Sequence, residues 1–276
     1  MSKEAKKQSR VSMPQYSALA PYYEELNSEV DYSEWTDFLT GLFEKYCAKK
    51  PELVLELACG TGAFTRQLAD RGYDMIGIDI SGEMLAEASR MEYENDECDD
   101  NLSRRRTSRH RPKPLYLCQD IRSFELYGTV NAAICCLDGI NYLTGRDDLD
   151  KCFSSLHTYL EPGGIFIFDV NTPYKFENVF GNRDYILESD NTLCAWQNSY
   201  DSDSKLCDFY LSIFTKCDNG SWTRSDEYQS ERCYSRTVLT NALKRCGFEL
   251  LTVLGGRDGK TADDSDERWY FIARRT

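Results

Sequence analysis

Residues 53–62 read Leu-Val-Leu-Glu-Leu-Ala-Cys-Gly-Thr-Gly, an apolar run that ends in two glycines. The apolar part, Leu53–Ala58, predicts a buried strand, and the glycines stand where that strand must turn sharply into a helix. Such a turn lets a ligand approach the backbone. The stretch lacks the third glycine of a dinucleotide fingerprint and the Gly-Lys-Ser/Thr of a phosphate loop, which disfavours pyrophosphate. It therefore predicts a nucleotide-like ligand at the end of this strand.

A second apolar segment, Tyr73–Asp79, places an acid at its carboxyl end, 19 residues after Gly60. A carboxylate at that position can accept hydrogen bonds from both hydroxyls of a ribose. The structural alternative is that Asp79 caps the following helix, but Ser81 can fill that role. We therefore expect Asp79 to bind the ribose of an adenosine-containing ligand.

Short apolar runs alternate with amphipathic segments on both sides of this pair. In one such segment, Leu149, Cys152, Phe153 and Leu156 form a single apolar stripe at helical spacing. Regular alternation of strands and helices predicts a mostly parallel α/β sheet with right-handed crossovers. The predicted helices are Gly62–Arg71, Gly82–Arg90 and Asp148–Leu160, and the further strands are Leu115–Gln119, Asn131–Cys136, Gly164–Val170 and Phe248–Leu254.

Two segments interrupt the alternation. Residues 91–114 carry a run of acids followed by a run of bases, which predicts a solvated, mobile loop. Residues 172–235 alternate apolar and polar side chains with period two, which predicts an inserted antiparallel β cap. We expect residues 1–14 to be a mobile tail and residues 15–276 to form one domain that includes both segments.

Composition excludes several classes of protein. The 276 residues are 41% apolar, enough for a full core, and 33 bases against 46 acids give a net charge of −13, which disfavours unaided binding to nucleic acid. Twelve cysteines and two histidines, without a Cys-x-x-Cys pair, predict reduced thiols and no metal site. No stretch is long and apolar enough to span a bilayer, so we expect a cytoplasmic protein.

Taken together, these motifs resemble those of the class I S-adenosylmethionine-dependent methyltransferases, which have a Rossmann-like fold. The resemblance covers roughly residues 50–170 and 236–276 and rests on residues 56–62, Asp79, Gln119-Asp120 and Pro162-Gly163-Gly164. It implies a seven-stranded sheet of order 3-2-1-4-5-7-6 with helices on both faces, in which Arg268–Arg274 is the last, antiparallel strand.

The resemblance also implies S-adenosylmethionine as cofactor and a set of residues that hold it. In the family, the glycine turn faces the methionine part, the acid after the second strand binds the ribose, and the acid after the third brackets the adenine. Aromatic side chains near the amino end could face the sulfonium or simply pack together. The implied cofactor-binding residues are Tyr16, Tyr23, Glu56, Ala58, Gly60, Thr61, Gly62, Asp79, Ile80, Met84, Gln119, Asp120, Ile121, Leu137 and Asp138.

Two further stretches, residues 16–23 and 231–235, are similar to a subgroup that acts on small molecules and includes sugar-amine and glycine N-methyltransferases. In that subgroup the leading helix and the insert close over the cofactor and shape the acceptor pocket. The catalytic candidates lie after the fourth and fifth strands and at the end of the insert: Asp138, Tyr142, Asn171, Arg232 and Tyr234. Trp196 and Glu227 are additional candidates from the insert.

Each catalytic candidate has an alternative interpretation. Asp138, Asp169 and Asn171 could be compared with the magnesium ligands of catechol-type O-methyltransferases, but Asn171 stands one position too late for that pattern. Arg232 could hold an acceptor carboxylate, or it could form a surface ion pair with Glu231.

The sequence therefore predicts methyl transfer from S-adenosylmethionine to a nitrogen or oxygen of a small molecule. An RNA- or tRNA-modifying methyltransferase is the alternative if the basic run at 104–113 binds the nucleic acid. A cofactor-binding regulator without catalysis is a second alternative. An NAD-dependent dehydrogenase is disfavoured by the missing third glycine.

Overall fold

The computed structural model describes residues 16–99 and 112–276 and contains two β-sheets. Its strands are β1 (Leu53–Leu57), β2 (Asp74–Asp79), β3 (Leu115–Cys118), β4 (Val130–Cys135), β5 (Leu160–Asn171), β6 (Asp184–Glu188), β7 (Thr192–Asp201), β8 (Leu206–Lys216), β9 (Trp222–Arg232), β10 (Phe248–Leu254) and β11 (Arg268–Arg275). The larger sheet has the order β3-β2-β1-β4-β5-β11-β10. Only β11 runs antiparallel to its neighbours, so the predicted Rossmann-like sheet is confirmed.

Helices cover both faces of this sheet. They are α1 (Tyr32–Tyr46), α2 (Ala63–Asp70), α3 (Gly82–Asp99), α4 (Asp148–Tyr159) and α5 (Arg236–Arg245). Helices α1 and α2 pack on one face, where Ile165 and Ile167 of β5 point, and α4 and α5 pack on the other, where Phe166 and Phe168 point. Residues 165–170 of β5 are buried on both faces of the sheet and are apolar except for Asp169, as is usual for a strand in the middle of a covered sheet.

Two predicted elements extend beyond their expected bounds. Helix α3 continues to Asp99 instead of ending at Arg90, so residues 91–99 are helical rather than part of the predicted loop. Strand β5 begins at Leu160 rather than at Gly164, so residues 160–163 are part of the strand instead of preceding it. Its pairing with β4 shifts register between Val130 and Ala132, which accommodates the extra residues. The predicted tail at 1–14 and the rest of the charged loop up to residue 111 lie outside the described residues.

The insert forms a separate four-stranded antiparallel sheet of order β6-β7-β8-β9, here called the β cap. The alternating residues that predicted it, Cys207, Phe209, Leu211 and Ile213, are all buried on one face of β8. Turns at residues 202–205 and 218–219 connect β7 to β8 and β8 to β9. A π-helical segment, Lys175–Phe180, precedes the β cap and was not predicted.

Residues 16–26, here called the strap, form two short helical segments, Ala20–Tyr22 and Tyr23–Leu26. Leu19 and Leu26 of the strap pack against apolar side chains on the inner face of the β cap. The strap is thus a separate element that precedes α1.

The cysteines whose side chains are described are all free thiols, and seven of them are buried. Within the same described residues, no three His, Cys, Asp or Glu side chains are grouped so that they could hold a metal ion. No helix in this part of the chain combines the length and apolar character needed to cross a membrane.

Candidate functional site

The glycine turn connects β1 to α2 through left-handed backbone conformations. Ala58, Gly60 and Gly62 have φ angles of 53°, 54° and 73°. The Cys59 N–H donates to the Ile78 carbonyl oxygen at 2.9 Å, which ties the turn to β2. A side chain at Gly62 has no room, because a Cβ there would lie 2.5 Å from the Tyr116 hydroxyl oxygen. Glycine is therefore required both by the local conformation and by the close approach of Tyr116.

Asp79 joins this turn to the loop after β2. Its Oδ2 accepts the Gly60 N–H and its Oδ1 accepts the Ser81 N–H, each at 2.8 Å. Burial raises the pKa of Asp79, and the backbone N–H donors oppose that shift. Ser81 Oγ accepts the Met84 N–H at 3.2 Å, so the helix-capping role expected of Ser81 is confirmed. Each Asp79 oxygen keeps further acceptor capacity for a ligand hydroxyl.

A cavity of about 290 Å³ opens beside the turn, at the carboxyl ends of β1, β2 and β4. Twelve of the predicted cofactor-binding residues line it: Tyr16, Tyr23, Glu56, Ala58, Gly60, Thr61, Asp79, Ile80, Met84, Asp120, Ile121 and Leu137. Gly62, Gln119 and Asp138 are not among the lining residues. Gly62 is covered by Tyr116, and Gln119 is occupied by two hydrogen bonds to the main chain of Glu125.

Glu56 forms a buried acidic part of the cavity wall. It is only 2% exposed, and its Oε2 accepts a hydrogen bond from the Thr65 hydroxyl. Burial raises the pKa of Glu56 to about 8. The carboxyl group is therefore largely protonated at neutral pH unless a ligand cation reaches it.

The cavity end near β3 carries a carboxylate with its own counterion. Arg122 donates to both oxygens of Asp120, at 2.5 to 2.9 Å, and these bonds hold the pKa of Asp120 below its usual value. Ile121, between them, is 8% exposed and lines the same end. An acid beside an apolar side chain suits the polar edge and flat face of an adenine.

Tyrosines from two elements form the opposite wall. The Tyr16 hydroxyl of the strap donates to the Tyr142 hydroxyl at 2.5 Å, and Tyr142 donates to Gln229 Oε1 of the β cap at 3.0 Å. Tyr16 and Tyr23 pack edge to face with ring centroids 5.8 Å apart. Burial raises the pKa of Tyr16 and of Tyr142 well above the usual value, so both are neutral phenols.

Asp138 and Asp169 share one arginine. Arg268 Nη2 contacts Asp138 Oδ1 at 2.7 Å, and Nη1 contacts Asp169 Oδ2. Asp169 also accepts the N–H groups of Leu137 and Asp138, at 2.9 and 3.0 Å, which fixes the loop after β4. These contacts occupy the two acids that the magnesium comparison would need as ligands.

The other three predicted catalytic residues bond to protein groups and do not line the cavity. Asn171 donates to Glu231 Oε2 and accepts from Lys175 Nζ, each at 3.0 Å. Arg232 donates to the carbonyl oxygens of Thr144 and Ser204, so it forms neither of the two contacts considered from the sequence. Tyr234 is 5% exposed and donates to the Leu143 carbonyl oxygen. We therefore assign these three residues no contact with a ligand.

The sequence did not single out several residues that shape the cavity. Glu24 of the strap accepts from the Thr61 hydroxyl and from Arg66 Nη2, both at 2.6 Å. These bonds fasten the strap to the glycine turn. The contact joins residues about 40 positions apart, and no local pattern predicts it. Tyr32, Phe64 and Arg122 also line the cavity.

The cavity suits S-adenosylmethionine in the kinds of group that it offers. Asp79 provides buried acceptors for a ribose diol, Ile80 and Ile121 offer apolar surface for a base, and the Tyr16 and Tyr23 rings offer faces that attract a cation. These groups, together with the order of the strands in the large sheet, are those expected of a class I methyltransferase.

Comparisons with known proteins give the same class. The methyltransferase domain family matches residues 54–164, and the ubiE/COQ5 methyltransferase family matches residues 3–101. YqeM of Bacillus subtilis (strain 168), which is named as a methyltransferase, is 30% identical over 265 residues, covering 95% of this chain and 97% of that protein. The chain therefore belongs to the S-adenosylmethionine-dependent methyltransferases.

Two further similarities concern structure and acceptor. The crystal structure of an S-adenosylmethionine-dependent methyltransferase from Clostridium acetobutylicum ATCC 824 matches with a TM-score of 0.78 and 29% identity, over 92% of this chain and 96% of that chain. A dTDP-3-amino-3,6-dideoxy-alpha-D-glucopyranose N,N-dimethyltransferase of Streptomyces fradiae is 27% identical over 150 residues, 54% of this chain and 50% of that protein.

Proposed function

We propose that this methyltransferase transfers the methyl group of S-adenosylmethionine to a nitrogen or oxygen of a small-molecule acceptor. The observation that carries the proposal is the position of the strap at the cofactor cavity. The strap bonds to the glycine turn on one side and to the β cap on the other, so it covers part of the cavity of about 290 Å³. A cofactor site whose approach is narrowed by the strap favours a small acceptor over a folded polynucleotide.

The roles of this chain's residues follow from the chemistry. The sulfonium supplies an electrophilic methyl group, and its positive charge is lost as the acceptor attacks. Asp79 and the glycine turn would hold the donor in place, while Tyr16, Tyr23 and Tyr142 exclude water and align the acceptor. Because the tyrosines are neutral phenols, we expect them to orient the acceptor rather than take its proton.

Two observations favour a small acceptor further. The net charge of −13 opposes a polyanion. The partial relative from Streptomyces fradiae is named for methylation of a sugar amine. The basic run at 104–113, on which the tRNA alternative depends, lies outside the described residues, so tRNA is tested as an outcome below.

The test is a methyl-transfer screen with labelled S-adenosylmethionine against separate pools of amines, hydroxy compounds, carboxylates and bulk tRNA. We expect label in the amine or hydroxy pool. Label in tRNA alone, abolished by deleting residues 104–113, would contradict the proposal. Tight cofactor binding with no transfer to any pool would support a non-catalytic regulator instead.

A further inference from the structure

One buried carboxylate of the β cap holds the amino-terminal part of the strap. Glu227 lies on β9 and is 5% exposed. Its Oε1 accepts the Tyr16 N–H at 2.7 Å, and its Oε2 accepts the N–H groups of Ala18 and Leu19 at 3.1 Å each. Three main-chain donors of the strap therefore converge on a single side chain about 210 positions away in the sequence.

The same carboxylate is connected to the cavity wall through its neighbour on β9. Gln229 Nε2 donates to Glu227 Oε1 at 2.6 Å, and Gln229 Oε1 accepts the Tyr142 hydroxyl at 3.0 Å. Tyr142 in turn accepts the Tyr16 hydroxyl at 2.5 Å. The contacts thus form a closed ring through Glu227, Gln229, Tyr142 and Tyr16, and both tyrosines line the cofactor cavity.

This ring uses both oxygens of Glu227 as acceptors. Four N–H groups point at them, from Tyr16, Ala18, Leu19 and the Gln229 side chain, so a side chain that carried its own donor at this position would face another donor. In either orientation, a glutamine would direct its NH₂ group at two of these donors. Tyr16 also has a φ of 64°, an unfavourable conformation for a residue with a side chain, which the surrounding contacts must maintain.

We propose that Glu227 is a positioning residue that keeps the strap closed over the cofactor cavity and sets Tyr16 and Tyr142 as its wall. It is not among the residues that line the cofactor cavity. Through Glu227, the β cap influences the affinity for the cofactor. If the strap is open for part of the time, the apparent affinity equals the affinity of the closed state multiplied by the closed fraction.

The test compares the full-length Glu227→Gln variant with Asp226→Asn as a matched control. Asp226 is the preceding residue on β9, carries the same charge and is 62% exposed, with bonds to Ser212 and Arg224 on the outer face of the β cap. Calorimetric titration with S-adenosylmethionine, well below the unfolding temperature, should show affinity at least about tenfold weaker for Glu227→Gln and unchanged within about twofold for Asp226→Asn.

A second readout does not depend on ligand. Chymotrypsin cleaves after tyrosine and leucine, both of which occur in the strap, and cleavage there should be faster in Glu227→Gln without cofactor than in the control. Glu227→Asp keeps the charge but shortens the side chain, so its affinity should lie between those of the wild type and Glu227→Gln.

Two results would overturn the proposal. The first is a folded Glu227→Gln protein with the cofactor affinity and strap cleavage rate of the wild type. The second is a failure of both Glu227→Gln and Glu227→Asp to fold, because Glu227 would then be needed for the fold as a whole rather than for placing the strap. Both results are distinct from the outcome of the acceptor screen, since neither measurement requires an acceptor.

Discussion

Replacing Asp79 by Asn tests the assignment of the cofactor site. The substitution preserves shape but changes one carboxylate oxygen into an NH₂ group. Both Asp79 oxygens already accept a backbone N–H, from Gly60 and from Ser81, so the new NH₂ group must face a donor wherever it points. The variant therefore loses one acceptor, one negative charge and one of the two hydrogen bonds by which Asp79 fixes the glycine turn and the loop after β2.

The size of the effect follows from these contacts. Hydrogen bonds to a charged group contribute about 1.5 to 3 kcal/mol, which corresponds to roughly 10- to 150-fold weaker cofactor binding if the ribose loses one of them. The free energy of unfolding without ligand should fall by about 1 to 3 kcal/mol, because one buried backbone N–H is left facing another donor.

Isothermal titration with S-adenosylmethionine measures the first effect, and thermal unfolding without ligand measures the second. Asp74→Asn is the matched control, since Asp74 begins the same strand at its other end and is exposed. Unchanged cofactor affinity in a folded Asp79→Asn protein would refute the ribose assignment. Equal losses in both variants would point to a general effect of charge.

Two further predictions concern stability. The pKa of Glu56 is raised to about 8 from 4.5, so the folded state keeps a proton that the unfolded state releases, and the free energy of unfolding without cofactor should fall as the pH rises through this window. Denaturant titrations should show a shallower fall over that pH range in Glu56→Gln, and identical profiles would contradict the buried, protonated state. Gly62→Ala should lower the free energy of unfolding by about 2 kcal/mol or more, because of the left-handed backbone and the Tyr116 ring. Gly82→Ala, where nothing lies within 4 Å, should be close to neutral, and similar losses for both would refute the steric argument.

The parts of the fold that could be predicted are those with local signals. The apolar run before Gly60, the acid at the end of β2 and the alternation along β8 each predict their own element, and the structure contains all three. The end of α3 could not be predicted, because residues 91–99 offer a helix no apolar stripe. The start of β5 was misplaced because Pro-Gly-Gly usually stops a strand, whereas here a register shift absorbs it.

The site was predictable on the cofactor side and not on the side of the β cap. Glycine turns and strand-end acids occupy fixed places in a parallel sheet, so their positions follow from the sequence alone. On β9, by contrast, the buried face carries Glu227, Gln229 and Glu231, so polar residues stand where the alternation suggests apolar ones. Arg232, the next residue on this strand, donates to main-chain carbonyl oxygens, which its charge did not indicate. Only the long-range partners of these side chains reveal what they do.

The free thiols differ in burial, so the rate at which each one reacts can be used to measure local opening of the structure around it. Cys135 of β4 and Cys152 of α4 are completely buried in the core of the large sheet, and Cys194 of β7 and Cys207 of β8 are completely buried in the smaller sheet, whereas Cys118 is exposed. A thiol-modifying reagent should label Cys118 at once and the others only as fast as their surroundings transiently unfold. Mass spectrometry of the labelling time course would therefore show whether the two sheets open together or whether the smaller one opens independently while the larger stays intact.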